Sequence, residues 1–157
     1  MQKITPCLWF NGDAEEAAAF YASVFRDSQV VRVTRYPKGA PSPEGTAMTV
    51  RFEIHGQEFV ALNGGAPFPF TQAVSFLVNC ESQEEVDRLW TELSAGGETD
   101  CCGWLRDRFG LSWQIVPAEV MRMIQDADLA KAEAAVKAVW KMDKIDLAAV
   151  RRAHAAV

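Results

Sequence analysis

The chain has 157 residues, 49% hydrophobic and 24% charged, enough apolar side chain to bury a core without disulfide or metal staples. A formal net charge of -5 sets an acidic surface against phosphate backbones and argues against a nucleic-acid partner. No apolar run approaches the roughly 20 residues of a bilayer span, and four cysteines without a CxxC pair fit a reducing, cytoplasmic setting.

The opening residues, Met1 to Pro6, lack the apolar centre of a secretory signal. Cys7-Leu8-Trp9-Phe10 then reads as a short strand. Asp13-Ala14-Glu15-Glu16 has the form of a capping box, in which side chain and backbone satisfy each other at a helix start. The predicted helix carries Phe20-Tyr21 and ends near Phe25, before Asp27-Ser28. Val30 to Tyr36 alternates and is β-branched, predicting a strand, and Pro37 to Thr46, with three prolines and two glycines, predicts a loop. Met48 to Ile54 and Glu58 to Leu62 alternate on either side of His55-Gly56, the pattern of a hairpin.

The same wording then returns. Val74 to Val78 predicts a strand, and Ser82-Gln83-Glu84-Glu85 repeats the capping box at an offset of 69 residues (82 minus 13). Leu89-Trp90 stands where Phe20-Tyr21 stood, again at 69 (89 minus 20), and Gly96-Gly97 closes the helix. Further strands are predicted near Thr99 to Cys102, over Trp104 to Arg106 and over Leu111 to Val116, with a turn at Arg108-Phe109-Gly110 and a stop at Pro117. Both halves therefore read β-α-β-β-β, an internal duplication.

Beyond Pro117 the composition is Ala-rich and helical. A short helix is predicted over Ala118 to Ile124. Asp128 caps a second with an apolar stripe Leu129, Ala132, Val136, Val139 and Trp140, and a third runs from Asp146 to Ala156. This tail reads as packing or dimer structure. Trp90, Trp113 and Trp140 read as core or interface anchors, and Asp107 as a turn residue that bonds the backbone ahead of Gly110.

Several stretches carry a family resemblance. They are Ile4 to Phe10, Ala14 to Tyr21, Phe59 to Gly65, Val74 to Cys80, and above all Cys102-Gly103-Trp104-Leu105-Arg106-Asp107-Arg108-Phe109-Gly110-Leu111-Ser112-Trp113-Gln114-Ile115-Val116-Pro117, with Lys141 to Asp146 near the end. On these the chain resembles the vicinal oxygen chelate superfamily (glyoxalase I, bleomycin-resistance proteins, extradiol dioxygenases). Within it the chain resembles the PhnB-like family labelled 3-demethylubiquinone-9 3-methyltransferase. The resemblance implies an α+β fold of paired βαβββ modules with C-terminal helices. The expected organisation is a first module over 1–70, a second over 71–117 and a helical extension over 118–157. It also implies a homodimer.

Superfamily enzymes hold a divalent ion with His and Glu on strands, as a Lewis acid for vicinal substrate oxygens. The corresponding slots here fall on Thr5, Ala61 or Asn63, Ala73 and Gln114, neutral groups that bind a divalent ion too weakly to strip its water. No metal and no cofactor are therefore expected. The methyltransferase label finds little echo either: Gly64-Gly65 leads into Ala66-Pro67-Phe68-Pro69-Phe70, which cannot open a helix cleanly, and Gly96-Gly97 ends one.

Strand parity predicts a cleft lined by Thr5, Cys7, Trp9, Phe59, Ala61, Asn63, Ser75, Leu77 and Gln114. Thr5, Cys7, Trp9, Phe59, Asn63, Ser75 and Gln114 are its candidate ligand-binding residues. An aromatic beside amide and hydroxyl groups suits a small, flat or ring-bearing organic molecule; Trp9 and Phe59 as simple fillers of the core is the competing reading. Cys7 has no basic neighbour in view and reads as an unreactive thiol. Vicinal Cys101-Cys102 reads either as packing or as a sensor of oxidants or soft metals. The expectation is a metal-free, small-molecule-binding protein, the alternative an enzyme of the glyoxalase and dioxygenase superfamily or a methyltransferase as the family label says.

Overall fold

The computed structural model describes residues 2–157. The chain divides into two compact units, one running to Pro69 and the other from Phe70 to the C-terminus. In the first, β1 (Cys7–Phe10), α1 (Ala14–Val24), β2 (Ser28–Arg35), β3 (Ala47–Ile54) and β4 (Gln57–Asn63) build a sheet of order β1-β4-β3-β2. In the second, β5 (Ser75–Cys80), α2 (Gln83–Ser94), β6 (Glu98–Thr99), β7 (Trp104–Arg106) and β8 (Ser112–Pro117) build β5-β8-β7-β6. Each sheet pairs its first strand parallel to its last and its other neighbours antiparallel. The duplication read from the capping boxes is thus a duplication of topology.

Each sheet buries one face under its own helix. In the first unit Tyr21 of α1 stacks on Phe52 at 5.8 Å between ring centroids, and Phe52 stacks on Phe59 at 5.2 Å. Leu8, Phe10, Val50, Ala61 and Ala17 complete that core. The hairpin turn uses His55 at φ 48 and Gly56 at φ 77, a pair of left-handed residues that matches the twist of the flanking strands. In the second unit Val86, Leu89 and Leu93 of α2 lie buried with Leu105, Trp113 and Ile115 of the sheet.

Only one of the two capping boxes forms. Ser82 Oγ accepts from the Glu85 amide at 3.2 Å, while Glu85 reaches back to the amide of Glu81 at 2.8 Å. Asp13 makes no side-chain cap. Instead Asn63 Oδ1, from the end of β4, accepts from the amides of Gly12 and Ala14, each at 3.0 Å. A side chain 49 residues further along the chain does the capping that the local sequence proposed for Asp13.

The tail forms α3 (Ala118–Ile124), α4 (Leu129–Val139) and α5 (Leu147–Ala155). Val116, Val120, Ala135, Ile145, Leu147 and Val150 make a cluster of their own, with Ala138, Val139 and Met142 at its margin. The docked face of α4 is therefore rotated from the predicted stripe: Leu129 is 81% exposed and Trp140 68%. Small alanines allow the close approach to α5 that bulkier side chains would prevent. Gln83 of α2 ties the tail down, donating to Ile145 O at 3.0 Å and accepting from the Leu147 amide at 2.8 Å. The strand predicted near Thr99 to Cys102 is also shorter, since only Glu98 and Thr99 pair and Cys101 to Gly103 form a turn.

Candidate ligand-binding faces

Strand pairing fixes which side chains share a face, because paired residues point the same way and successive ones alternate. Cys7 pairs with Val60 and Trp9 with Leu62, whereas Leu8 pairs with Ala61 and Phe10 with Asn63. Cys7, Trp9, Val60 and Leu62 therefore share the face opposite α1. Phe59, Ala61 and Asn63 belong to the face that α1 covers. Sequence parity had grouped Phe59 and Asn63 with Cys7 and Trp9, and the β1–β4 register corrects this by one residue. Phe59 is buried in the aromatic stack, and Asn63 is consumed by helix capping and by a bond from its amide nitrogen to Ala47 O at 2.9 Å.

On the open face of the first unit, Thr5 is half-buried just ahead of β1 and Cys7 is exposed. Partial burial pushes the Cys7 thiol up from its ordinary value, which keeps it protonated and weakly nucleophilic. Trp9 is anchored rather than free. Its indole N–H donates to Ala66 O at 2.7 Å, and Phe68 meets its ring edge-on at 5.2 Å. Gly64 makes this possible, since a Cβ there would sit 1.7 Å from Trp9 Cζ2. The segment after β4 thus folds against the tryptophan. Further along the same face, Arg51 pairs with Glu58, and Gln29 donates to Glu53 at 3.2 Å.

In the second unit Ser75 pairs with Ser112 and Leu77 with Gln114 in the parallel β5–β8 register. All four share one face, joined by Trp104, which pairs with Gln114 on β7. Gln114 donates to Ser75 Oγ at 2.9 Å, as parity predicted that they would lie together. Leu77 between them is 41% exposed. Ser112 was missed in the sequence. It is buried, and among the described residues its hydroxyl oxygen has no hydrogen-bond partner. The signal was available, since Ser112 precedes Gln114 by two and shares its parity.

Below this site Asp107, itself buried, holds the turn after β7. Its Oδ1 accepts from the amides of Phe109 at 2.9 Å and Leu111 at 3.1 Å, and its Oδ2 from the Trp113 indole at 2.8 Å. Its predicted role as a turn residue extends to fixing the ring beside Gln114. A separate cavity of about 490 Å³ opens at the end of the first sheet, among Glu15, Arg35, Tyr36, Thr46, Asn63 and Gly64. Its two charges neutralise each other, Arg35 gripping both carboxylate oxygens of Glu15 at 2.8 and 3.1 Å.

The donor chemistry does not fit a divalent ion. Thr5, Ser75, Ser112 and Gln114 offer neutral oxygens, and the carboxylates on the first face are engaged by Arg51 and Gln29. Among the described residues no three His, Cys, Asp or Glu side chains cluster in a metal-binding group. His55 occupies a hairpin turn edge-on to Phe25, and His154 pairs with Asp126 at 2.8 Å. A nucleotide-type cofactor fits no better. Gly64-Gly65 is followed by irregular chain to Val74, and Gly96, at φ 76, ends a helix. Among the described residues no helix is long and apolar enough to cross a membrane.

Paired four-stranded mixed sheets, each with a crossover helix, define a protein of the vicinal oxygen chelate superfamily, with the glyoxalase and bleomycin-resistance type of fold. Within it, residues 2–116 match the family described as 3-demethylubiquinone-9 3-methyltransferase, and the chain belongs to that family. A PhnB protein from Bacillus cereus, described by the same family label, is 39% identical. The match covers 74% of this chain and 100% of that one with a TM-score of 0.70. A protein from Pseudomonas aeruginosa is 23% identical over 72% of this chain and 95% of its own, with a TM-score of 0.60. The fosfomycin resistance protein FosX from Listeria monocytogenes shares the fold at 16% identity, with coverages of 72% and 89% and a TM-score of 0.50. No curated protein matches the chain. The family match ends before α3, so the tail and the Lys141 to Asp146 stretch lie outside it.

Proposed function

We propose that this protein binds a small organic molecule on the sheet faces opposite α1 and α2, without a metal ion. The observation that carries the reading is the polar group on β5 and β8. A buried hydroxyl with no partner, Ser112, lies on the same face as the Gln114–Ser75 pair and the exposed Leu77. Buried polar groups are nearly always satisfied, and one left open beside an apolar residue is an address for a ligand's donor or acceptor. In the first unit, taken by itself, Cys7, Trp9, Val60 and Leu62 share an apolar and aromatic face with Thr5 at its edge, which favours a ring-bearing ligand there. Phe59 and Asn63 drop out of the site.

A panel of aromatic and heteroaromatic small molecules tests this by thermal shift. A ligand at 100 times its dissociation constant adds about 2.7 kcal/mol of stability. Gln114→Leu is expected to abolish the shift while leaving the unliganded melting temperature within a few degrees. If no compound stabilises the wild type, or if Gln114→Leu responds as the wild type does, the reading fails. The exposed Leu129 at the start of α4 and Trp140 just past its end favour a homodimer with the tail at its interface, which sedimentation of the full chain tests. The four free thiols favour a cytoplasmic location.

A further inference from the structure

Cys101 and Cys102 occupy the tip of the β6–β7 hairpin. Cys101 is exposed and Cys102 half-buried. The turn is tightly held. Asp100 Oδ1 accepts from the Cys101 amide at 2.7 Å, and Trp104 N donates to Cys101 O at 3.1 Å. From the tail, Met142 O and Asp143 O accept from the amides of Cys102 and Gly103, both at 2.7 Å. Ile145 packs so close to Gly103 that a Cβ there would lie 3.0 Å from its Cδ1. Cys102 is fixed at φ 62, a left-handed conformation that residues with a side chain seldom adopt. Such an outlier, maintained by its surroundings, is a reason to ask what the side chain does.

The two thiols are neighbours on one tightly held turn, joined by a single peptide bond. A direct bond between them is unfavourable, because adjacent Cα atoms are about 3.8 Å apart across a trans peptide while disulfides need roughly 4.4 to 6.8 Å. An atom inserted between them relieves this. With sulfur bonds of about 2.3 Å, as thiolates make to zinc, a bridging centre accommodates sulfurs about 3.5 Å apart. Soft thiolate donors select soft acceptors. No third His, Cys, Asp or Glu completes a metal-binding cluster among the described residues, so the matching acceptor has two open valences.

We propose that Cys101 and Cys102 form a dithiol chelate for monosubstituted trivalent arsenicals, whose carbon substituent fills the third valence. Binding forms two As–S bonds and breaks two As–O bonds of the arsonous acid. The two thiol protons leave with the two oxygens as water, and arsenic stays trivalent throughout, so no oxidant or reductant is needed. Burial raises the Cys102 thiol above its ordinary value, aided by Cys101 and by the carboxylates of Asp100 and Asp143. That protonated state slows peroxide oxidation, which needs thiolate, and does not block a condensation that consumes protonated thiols. The tail supplies two of the hydrogen bonds that hold the turn, so the site depends on residues beyond the family match.

Phenylarsine oxide is the probe, on the full reduced chain, followed by intact mass and by counting thiols that still alkylate. One adduct is expected, a phenylarsenic group in place of two hydrogens, removing two of the four thiols from the count. It is expected to resist a monothiol and to yield to a dithiol such as dimercaptopropanol at about 100-fold lower concentration, the signature of chelation. Cys101→Ser and Cys102→Ser are each expected to lose the adduct under monothiol challenge, and Cys7→Ser to keep it. An adduct that the monothiol strips from the wild type as readily as the dithiol does overturns the proposal without recourse to variants. So does an adduct that persists in either serine variant, or no adduct at all.

Discussion

Asp107 offers the most quantitative test, because its bonds are countable and its surroundings are closed. Replacing it with alanine removes the acceptor for the Leu111 amide and the Trp113 indole, both buried, and for the partly buried Phe109 amide. Each buried donor left without a partner costs about 1–3 kcal/mol. Removing the carboxylate also relieves its own desolvation, which offsets part of the loss. The net expectation is about 3–4 kcal/mol. In a domain of this size 1 kcal/mol shifts the melting temperature by about 2–4 °C, so Asp107→Ala is expected to melt roughly 10 °C lower by calorimetry. Asp107→Asn keeps one acceptor oxygen for the two amides but sets an NH2 against the indole N–H, and about half the loss is expected. In the double variant with Trp113→Phe the asparagine penalty shrinks, because the donor it offends has gone. An alanine variant that melts within about 2 °C of the wild type would falsify the claim that this carboxylate holds the turn.

Gly64→Ala forces the Trp9 ring out of place. Its indole N–H resonance is expected to shift or broaden in a nitrogen–proton spectrum; an unchanged resonance refutes the contact. Asn63→Leu strips the caps from Gly12 and Ala14 and the bond to Ala47, costing about 2–4 kcal/mol in denaturant unfolding. Asn63→Asp retains the capping oxygen and is expected to recover more than half. Native alkylation is expected to label Cys7 and Cys101 first. Cys80, buried and with its thiol pushed up to about 12 chiefly by that burial, reacts only after unfolding. Asp87 is held below the usual carboxylate range by Lys144 at 2.7 Å and by Gln83. A depressed carboxylate stabilises above its unfolded value and loses that contribution as pH falls through the folded one. Docking of the tail segment near Lys144 is therefore expected to loosen only below about pH 4, read by amide exchange at Ile145 and Leu147; loosening that instead begins near neutrality would contradict it.

Local chemistry made much of this fold legible. Alternation and turn residues marked the β3–β4 hairpin, and the repeated spacing around Ser82 exposed the duplication, because these signals act between residues close in the chain. Parity within β8 correctly placed Gln114 on a face with Ser75. What parity within a strand does not contain is the register between strands. A slip of one residue turns a whole strand over, and only the pairing of Leu8 with Ala61 showed that Phe59 and Asn63 point at α1. The cap on α1 was illegible for a related reason. Asp13 has the right type and place, but Asn63 arrives from β4 with a better-aimed oxygen, an encounter that exists only once the sheet has formed. The same holds for Ser112, whose isolation is a property of what surrounds it, and for the paired sulfurs at the hairpin tip, which a tail forty residues downstream holds in place. Sequence determined the elements and their repetition; long-range pairing decided which side chains meet.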